Sequence, residues 1–238
     1  MLTRIERFTY LKVLHFFLKE NAHVSFLFSM VLLVVLSPYL EHHTAGNLGV
    51  TLISSYNILA TLYFIIHNKR NYWVTAFSFF VILCEWLVYF EFGIPLDQGW
   101  VDHIDTFTNI GVAFIFIWAL AILFRTIFYS KKVDVNVIIS SISGYLAMGL
   151  IGAFSFGLLN QLVPDSFHMA VDQNWDRHDM VYFSFVSMST LGYGDIVPTG
   201  GLARGMSILL TLSGQMYMTM VIAMLIGKFM ANNRSQET

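Results

Sequence analysis

Residues Ser189–Pro198 read STLGYGDIVP. Gly192, Tyr193, Gly194 and Asp195 follow one another there, between strongly apolar stretches, and Pro198 closes the run. Glycine adopts backbone angles that other residues avoid and leaves its peptide groups uncovered. Such a loop is out of place in a chain this apolar, and its reading decides the fold.

The 238 residues are 56% hydrophobic and only 12% charged. A soluble domain carries about 25% charged residues. The apolar residues also fall in long blocks, so the composition indicates a polytopic membrane protein. The single cysteine, Cys84, excludes an intrachain disulfide framework and a multi-cysteine metal site. Basic runs that would grip nucleic acid are absent, and no nucleic-acid partner is expected. The first apolar block starts at Val24 with no small-residue cleavage pattern after it, so it reads as a span and not a signal peptide.

A helix crossing a bilayer needs roughly 17–25 mostly apolar residues. Six segments qualify, at about 24–40, 48–67, 73–92, 107–129, 138–160 and 203–229. A shorter apolar stretch at 178–190 leads into the opening motif and reads as a re-entrant half-helix. Irregular backbone at membrane depth survives only where protein buries it or water lines it. The predicted fold class is therefore all-α, with six transmembrane helices plus a re-entrant helix.

Orientation follows from charge. With the N-terminus in the cytoplasm, every basic residue except Arg177 and Arg204 falls on the inner side. The outer loops collect acids instead, among them Glu91, Asp97, Asp165, Asp172, Asp176 and Asp195. This positive-inside bias predicts two cytoplasmic termini and an outward-facing motif. The plasma (cell inner) membrane is the expected location.

Three regions are expected. Residues 1–22 hold Ile5, Phe8, Leu11, Leu14 and Leu18 at helical spacing among Arg4, Arg7, Lys12 and Lys19. That pattern suits an amphipathic helix on the inner membrane surface, or equally a cytoplasmic extension of the first span. Residues 23–130 hold the first four spans, and the DVNV stretch after Lys132 marks the boundary with residues 131–238. Few residues follow Lys228, so control by a cytoplasmic ligand-binding domain is not expected from this chain.

TLGYG, Thr190–Gly194, differs at one position from the TVGYG loop of potassium channel filters, where carbonyl rings replace the ion's hydration shell. Consecutive carbonyls reach one axis only if alternate residues take backbone angles that glycine adopts without penalty. Gly192 and Gly194 stand at those alternate positions.

Over Ile138–Met230 the chain resembles the potassium channel superfamily: outer helix, pore helix, filter, inner helix. The resemblance assigns Thr190, Leu191, Gly192, Tyr193, Gly194 and Asp195 to the selectivity filter, with K+ held at Thr190, Leu191, Gly192 and Tyr193. Tyr182 and Phe183 occupy the place of an aromatic pair that supports the filter. Pro198 falls at the outer mouth and Arg204 where a basic residue often sits. Gly214 corresponds to a gating hinge.

Some positions depart from the family pattern. Leu191 replaces the usual valine or isoleucine, which keeps its carbonyl but alters packing behind the filter. Val186 stands where some members carry a glutamate that braces the filter aspartate. A hydrogen bond from the Tyr182 hydroxyl to Asp195 is predicted in its place.

Gln215, Met218, Ile222 and Ile226 share one face of the last span at helical spacing. This face is expected to line the cavity and gate, where a hydrophobic constriction closes by dewetting. The alternative is that it packs on the outer helix. The fourth span, 107–129, holds only Arg125, whereas voltage sensors repeat arginine at about every third position. The first four spans therefore resemble a voltage-sensor domain without gating charges.

Glu85 is the one acid inside a span and a candidate modulatory residue, bonded to Ser54, Ser55 or Asn57, or simply structural. The histidines form no convincing metal site. His42 and His43 diverge as neighbours, and His168 and His178 read better as solvated loop residues.

The expectation is a non-enzymatic, potassium-selective channel: a homotetramer in membrane lipid, weakly or not voltage-gated, with K+ as permeating ligand and no cofactor. A weakly selective cation channel or a heteromer-only subunit is the alternative. A membrane enzyme or transporter is further off, since H-E-x-x-H and paired intramembrane acids are absent.

Overall fold

The computed structural model describes residues 22–41, 46–68, 72–90, 98–130, 132–169 and 177–234. Its elements are α1 (Ala22–Glu41), α2 (Gly46–Asn68), α3 (Tyr72–Phe90), α4 (Gln98–Tyr129), α5 (Val135–Leu162), β1 (Phe167–Met169), α6 (Arg177–Met188), β2 (Ile196–Pro198) and α7 (Gly201–Arg234). Each of the six expected spans falls on one of these helices, and the half-helix expected at 178–190 falls on α6. The amphipathic helix expected near the N-terminus lies outside the described residues, as do His42, His43, Asp172 and Asp176.

Among the described residues, three helices are long and apolar enough to cross a membrane: Thr106–Tyr129, Val135–Leu162 and Gly201–Ala231. The apolar stretches of α1, α2 and α3, at Ala22–Leu36, Thr51–Ile66 and Trp73–Trp86, are shorter. Helix α6 has 12 residues. At 1.5 Å per residue that is about 18 Å, well short of a hydrocarbon core of about 30 Å.

Local chemistry sets the helix ends. Asp134 caps α5: its backbone is extended and its carboxylate accepts the Val137 N–H at 2.9 Å. At the other end the Val163 N–H closes on Leu159 O at 2.8 Å, and Pro164 follows, unable to continue the helix. Asp179 sits in the first turn of α6, where a negative charge suits the helix dipole. Helix α4 starts at Gln98, well before the apolar segment expected from 107, because hydropathy marks the apolar part of a helix and not its beginning.

Two apolar cores hold the elements together. The larger joins α1–α5 through Phe26, Phe64, Phe116, Leu123 and Leu150, with Phe26 stacked on Phe64 at 4.8 Å. The smaller collects Phe156, Phe167, Phe183, Ile196 and Ala203 from α5, β1, α6, β2 and α7. Helix α5 meets its several neighbours largely through small buried residues, including Ser140, Gly144, Ala147, Gly149, Gly152 and Ala153. A Cβ on Gly152 would lie 2.6 Å from Ser184 Oγ and 2.7 Å from Leu210 Cδ2. The missing side chain lets α6 and α7 close on α5 together. Helix α7 is the least covered element, with 17% of its most apolar window buried against 56% for α5.

Candidate functional site

The TLGYGD segment hangs from the C-terminal end of α6. Ser189 N–H bonds to Phe185 O at 2.9 Å and Thr190 N–H to Ser187 O at 3.1 Å. The Val186 carbonyl accepts twice, from Leu191 N–H at 3.0 Å and from Gly192 N–H at 3.3 Å. The last carbonyls of a helix lack intrahelical partners, and here the following loop folds back to supply donors.

Beyond that anchor the backbone alternates. Thr190 has φ +63, Gly192 φ +55 and Gly194 φ +79, while Leu191 and Tyr193 keep negative φ. Sequence reasoning identified the two glycines as the alternate positions; Thr190 is a third. The left-handed region costs a residue with a Cβ about 1–2 kcal/mol, and no residue type in the segment announces that Thr190 accepts this cost. All side chains from Thr190 to Asp195 are exposed, and a Cβ on Gly192 or Gly194 would meet no atom within 4 Å. The segment is braced at its ends and uncovered in its middle.

Its C-terminal end is tied in several ways. The hydroxyl of Tyr182 donates to Asp195 Oδ2 at 2.5 Å, the bond predicted from the sequence. That bond, more than the accompanying desolvation, pushes the phenol up to about 12. Asp195 Oδ1 accepts the Ile196 N–H at 3.1 Å. The Tyr182 ring lies parallel to that of Tyr193, 6.5 Å away. Phe183 faces elsewhere: it packs on Phe156 at 5.1 Å and Phe167 at 5.3 Å, holding α6 to α5 and β1.

After Asp195 the chain pairs as β2 with β1, antiparallel, Phe167 opposite Pro198 and Met169 opposite Ile196. The sequence analysis missed this pairing. Thr199 fastens its end, with its N–H on Ser166 O at 2.9 Å and its hydroxyl on Asp165 O at 2.5 Å. Arg204 Nε donates to Pro198 O at 3.2 Å. His168 lies exposed on β1 beside this pairing, and no metal-binding cluster occurs among the described residues.

On α7, Gly214 is buried beneath the end of α6, where a Cβ would stand 2.9 Å from Met188 O. Gln215, Met218, Ile222 and Ile226 are exposed. The face of α7 that packs on α5 is a different one. It carries Tyr217 and Val221, both buried, with the Tyr217 hydroxyl on Ser141 O at 2.6 Å. Within one chain, the Gln215–Ile226 face does not pack on α5. Near the C-terminal end of α7, Lys228 Nζ donates to Ile127 O at 2.6 Å and Phe128 O at 3.0 Å, in the last turn of α4.

Glu85 lies apart from this site, between α3 and α2, where its Oε1 accepts the Ser54 hydroxyl. Its neighbour Trp86 donates to Ser55 Oγ at 3.0 Å. Asn57, the third partner considered, instead reaches Ser29 Oγ on α1 at 3.3 Å.

Residues 140–231 match the family model described as Ion channel, a range that takes in nearly all of α5, then α6, the TLGYGD segment and most of α7. No curated protein and no solved structure matches the chain. The family match, together with the apolar helices, supports an ion channel and an integral membrane protein.

Proposed function

We propose that the chain is a potassium-selective channel in which four copies surround one pore. The observation that carries this reading is the alternation of backbone sign at Thr190, Gly192 and Gly194. In an ordinary strand successive carbonyls point to opposite sides. Alternating left- and right-handed residues turn them toward one side instead, as stacked oxygen rings around a dehydrated cation require. Thr190, Leu191, Gly192 and Tyr193 supply the ion-binding oxygens in this reading, and Asp195 stands at the outer mouth.

One chain offers one such strand, and its middle is uncovered, as is most of α7. A ring of four supplies both the missing oxygens and the missing cover. The exposed Gln215, Met218, Ile222 and Ile226 then face the cavity and the inner gate. Helices α1–α4 surround the pore as a sensor-shaped domain, for six crossings in all with both termini inside.

Voltage dependence is weak in this reading. Arg125 is exposed near the inner end of α4, with its guanidinium 6.0 Å from the Tyr129 ring centroid. One charge crossing the whole field contributes only about 2.3 kcal/mol per 100 mV.

Purified protein in potassium-loaded liposomes tests the function. Barium-sensitive potassium flux well above sodium flux is the expected result. Equal sodium flux would make the chain a weakly selective cation channel, and no flux at all would leave the channel reading without support.

A further inference from the structure

A single carbonyl oxygen joins the candidate filter to α7. Ser187 O, in the last turn of α6, accepts the Thr190 N–H at 3.1 Å and the Thr211 hydroxyl at 3.1 Å. A carbonyl has two lone pairs, so both donors fit at once. Thr211 also reaches Ser207 O in its own helix at 2.9 Å, so its one proton is shared between α7 and α6.

Hydroxyls in helices commonly bond back to the carbonyl four residues earlier, and that alone would be unremarked. The contact with Ser187 is different because it crosses between helices, 24 residues apart in sequence. One turn further along the same face, Gly214 brings α7 against Met188 O. Helix α7 thus meets the consecutive carbonyls of Ser187 and Met188, which only Ser189 separates from the TLGYGD segment. The first of them also holds Thr190, the one residue of the segment that takes positive φ with a side chain present. A conformation of that kind persists only where its surroundings over-determine it.

We propose that Thr211 is a positioning residue for the base of the filter: its hydroxyl holds the Ser187 carbonyl in place for Thr190, so that movement of α7 reaches the innermost ion-binding oxygens directly. This rests on the potassium-channel reading of residues 190–195. Selectivity depends on where those oxygens stand, and Thr211 therefore sets it without touching the ion.

The test uses the full chain in liposomes as wild type, Thr211→Val and Thr211→Ser. Valine keeps the shape and removes the hydroxyl; serine keeps the hydroxyl and removes the methyl. Thr211→Ala serves as a second hydroxyl deletion should the valine variant fold poorly. Two quantities are read: the potassium-to-sodium permeability ratio from reversal potentials, and amide exchange across residues 186–195 by mass spectrometry.

Loss of one ordinary hydrogen bond corresponds to about fivefold in an equilibrium. Thr211→Val is expected to speed exchange by about that factor and to lower the permeability ratio by a similar one, with Thr211→Ser within about twofold of wild type. Unchanged exchange in both deletion variants overturns the proposal. Faster exchange with an unaltered ratio also overturns it, because the bond would then be structural only. A serine variant as impaired as valine overturns it too, by assigning the effect to the methyl group. A wild type that passes sodium as readily as potassium refutes the underlying potassium reading instead, a result separate from the comparison of exchange rates.

Discussion

Replacing Tyr182 with phenylalanine removes one oxygen and leaves the ring. In the structure that oxygen donates to Asp195 at 2.5 Å, on a side chain 39% exposed. Hydrogen bonds to charged groups contribute about 1.5–3 kcal/mol when shielded. Water reaches this pair and will replace the lost donor in part, so about 1 kcal/mol is the reasonable expectation, or roughly fivefold in an equilibrium. The parallel ring contact with Tyr193 survives the substitution, so the loss isolates the bond. The assay is the decay of potassium current during sustained conduction in a planar bilayer, where loosening of the outer end of the filter accelerates decay.

Alkaline titration supplies an independent check. The phenol is raised from its ordinary value of 10 to about 12, so the neutral donor is the favoured form in the folded protein. The bond's contribution is present in full below about pH 10 and is lost as pH climbs through about 12. Wild-type current should therefore decay faster across that window, and Tyr182→Phe should lack this component. If the variant decays like wild type at neutral pH and keeps the same alkaline response, the bond does not hold Asp195 and the reasoning fails.

Gly194→Ala places a Cβ on a residue at φ +79 in open space, so it should cost about 1–2 kcal/mol of backbone strain and reduce potassium selectivity without lowering expression. Bi-ionic reversal potentials measure it. Gly214→Ala drives a Cβ against Met188 O, and overpacking of this kind costs about 1–3 kcal/mol, read as a lower midpoint of thermal unfolding in detergent. A pure hinge would change opening and leave that midpoint alone. Lys228→Met deprives Ile127 O and Phe128 O of a cationic donor, and the open fraction in single-channel records should shift by about fivefold or more, with Lys228→Arg closer to wild type. Glu85→Gln keeps an acceptor for the Ser54 hydroxyl, so flux between about pH 5 and pH 8 should match wild type within about twofold. Divergence on acidification would make Glu85 a proton-binding modulator.

The parts of the molecule that sequence disclosed are those in which residue type and backbone demand coincide. Long apolar runs located α4, α5 and α7, and Gly192 and Gly194 marked two of three left-handed positions. The Tyr182–Asp195 bond was legible because a phenol and a carboxylate at the same end of a loop need each other. Thr190 was not legible, because its φ is imposed by the turn leaving α6 and not by its side chain. The β1–β2 pair was missed for another reason. Three residues each of FHM and IVP carry too little alternation to register, and their pairing joins two loops far apart in sequence. Gly214 was read as a hinge on resemblance; the sequence did not announce that it is also a point of close approach to Met188.

The side-chain hydrogen bonds divide in a way that bears on how the first four helices meet the rest. Ser78, Thr126, Ser141, Ser155 and Ser207 each bond to the carbonyl four residues back, which satisfies a hydroxyl in apolar surroundings and links nothing. Other side chains in the second half of the chain bond between helices, beside the Ser140–His23 contact of α5 with α1 and the Thr106–Gln161 contact of α4 with α5. Ser184 holds α6 to Gly149 O on α5, and Tyr217 holds α7 to Ser141 O. Thr211 holds α7 to Ser187 O, and Lys228 holds α7 to the end of α4. Each of these donors meets a backbone carbonyl, and three of the four sit on α7, near its C-terminal end, in its middle, and beside the candidate filter. A rigid helix held at three such points cannot shift at Lys228 without loading the contacts at Tyr217 and Thr211. Between residues 107 and 129 helix α4 carries only Arg125 as a charged side chain, and its last turn is bonded to α7, which also reaches Ser187 O next to the candidate filter. Forces on α4 other than voltage therefore have a route of hydrogen-bonded contacts to the TLGYGD segment.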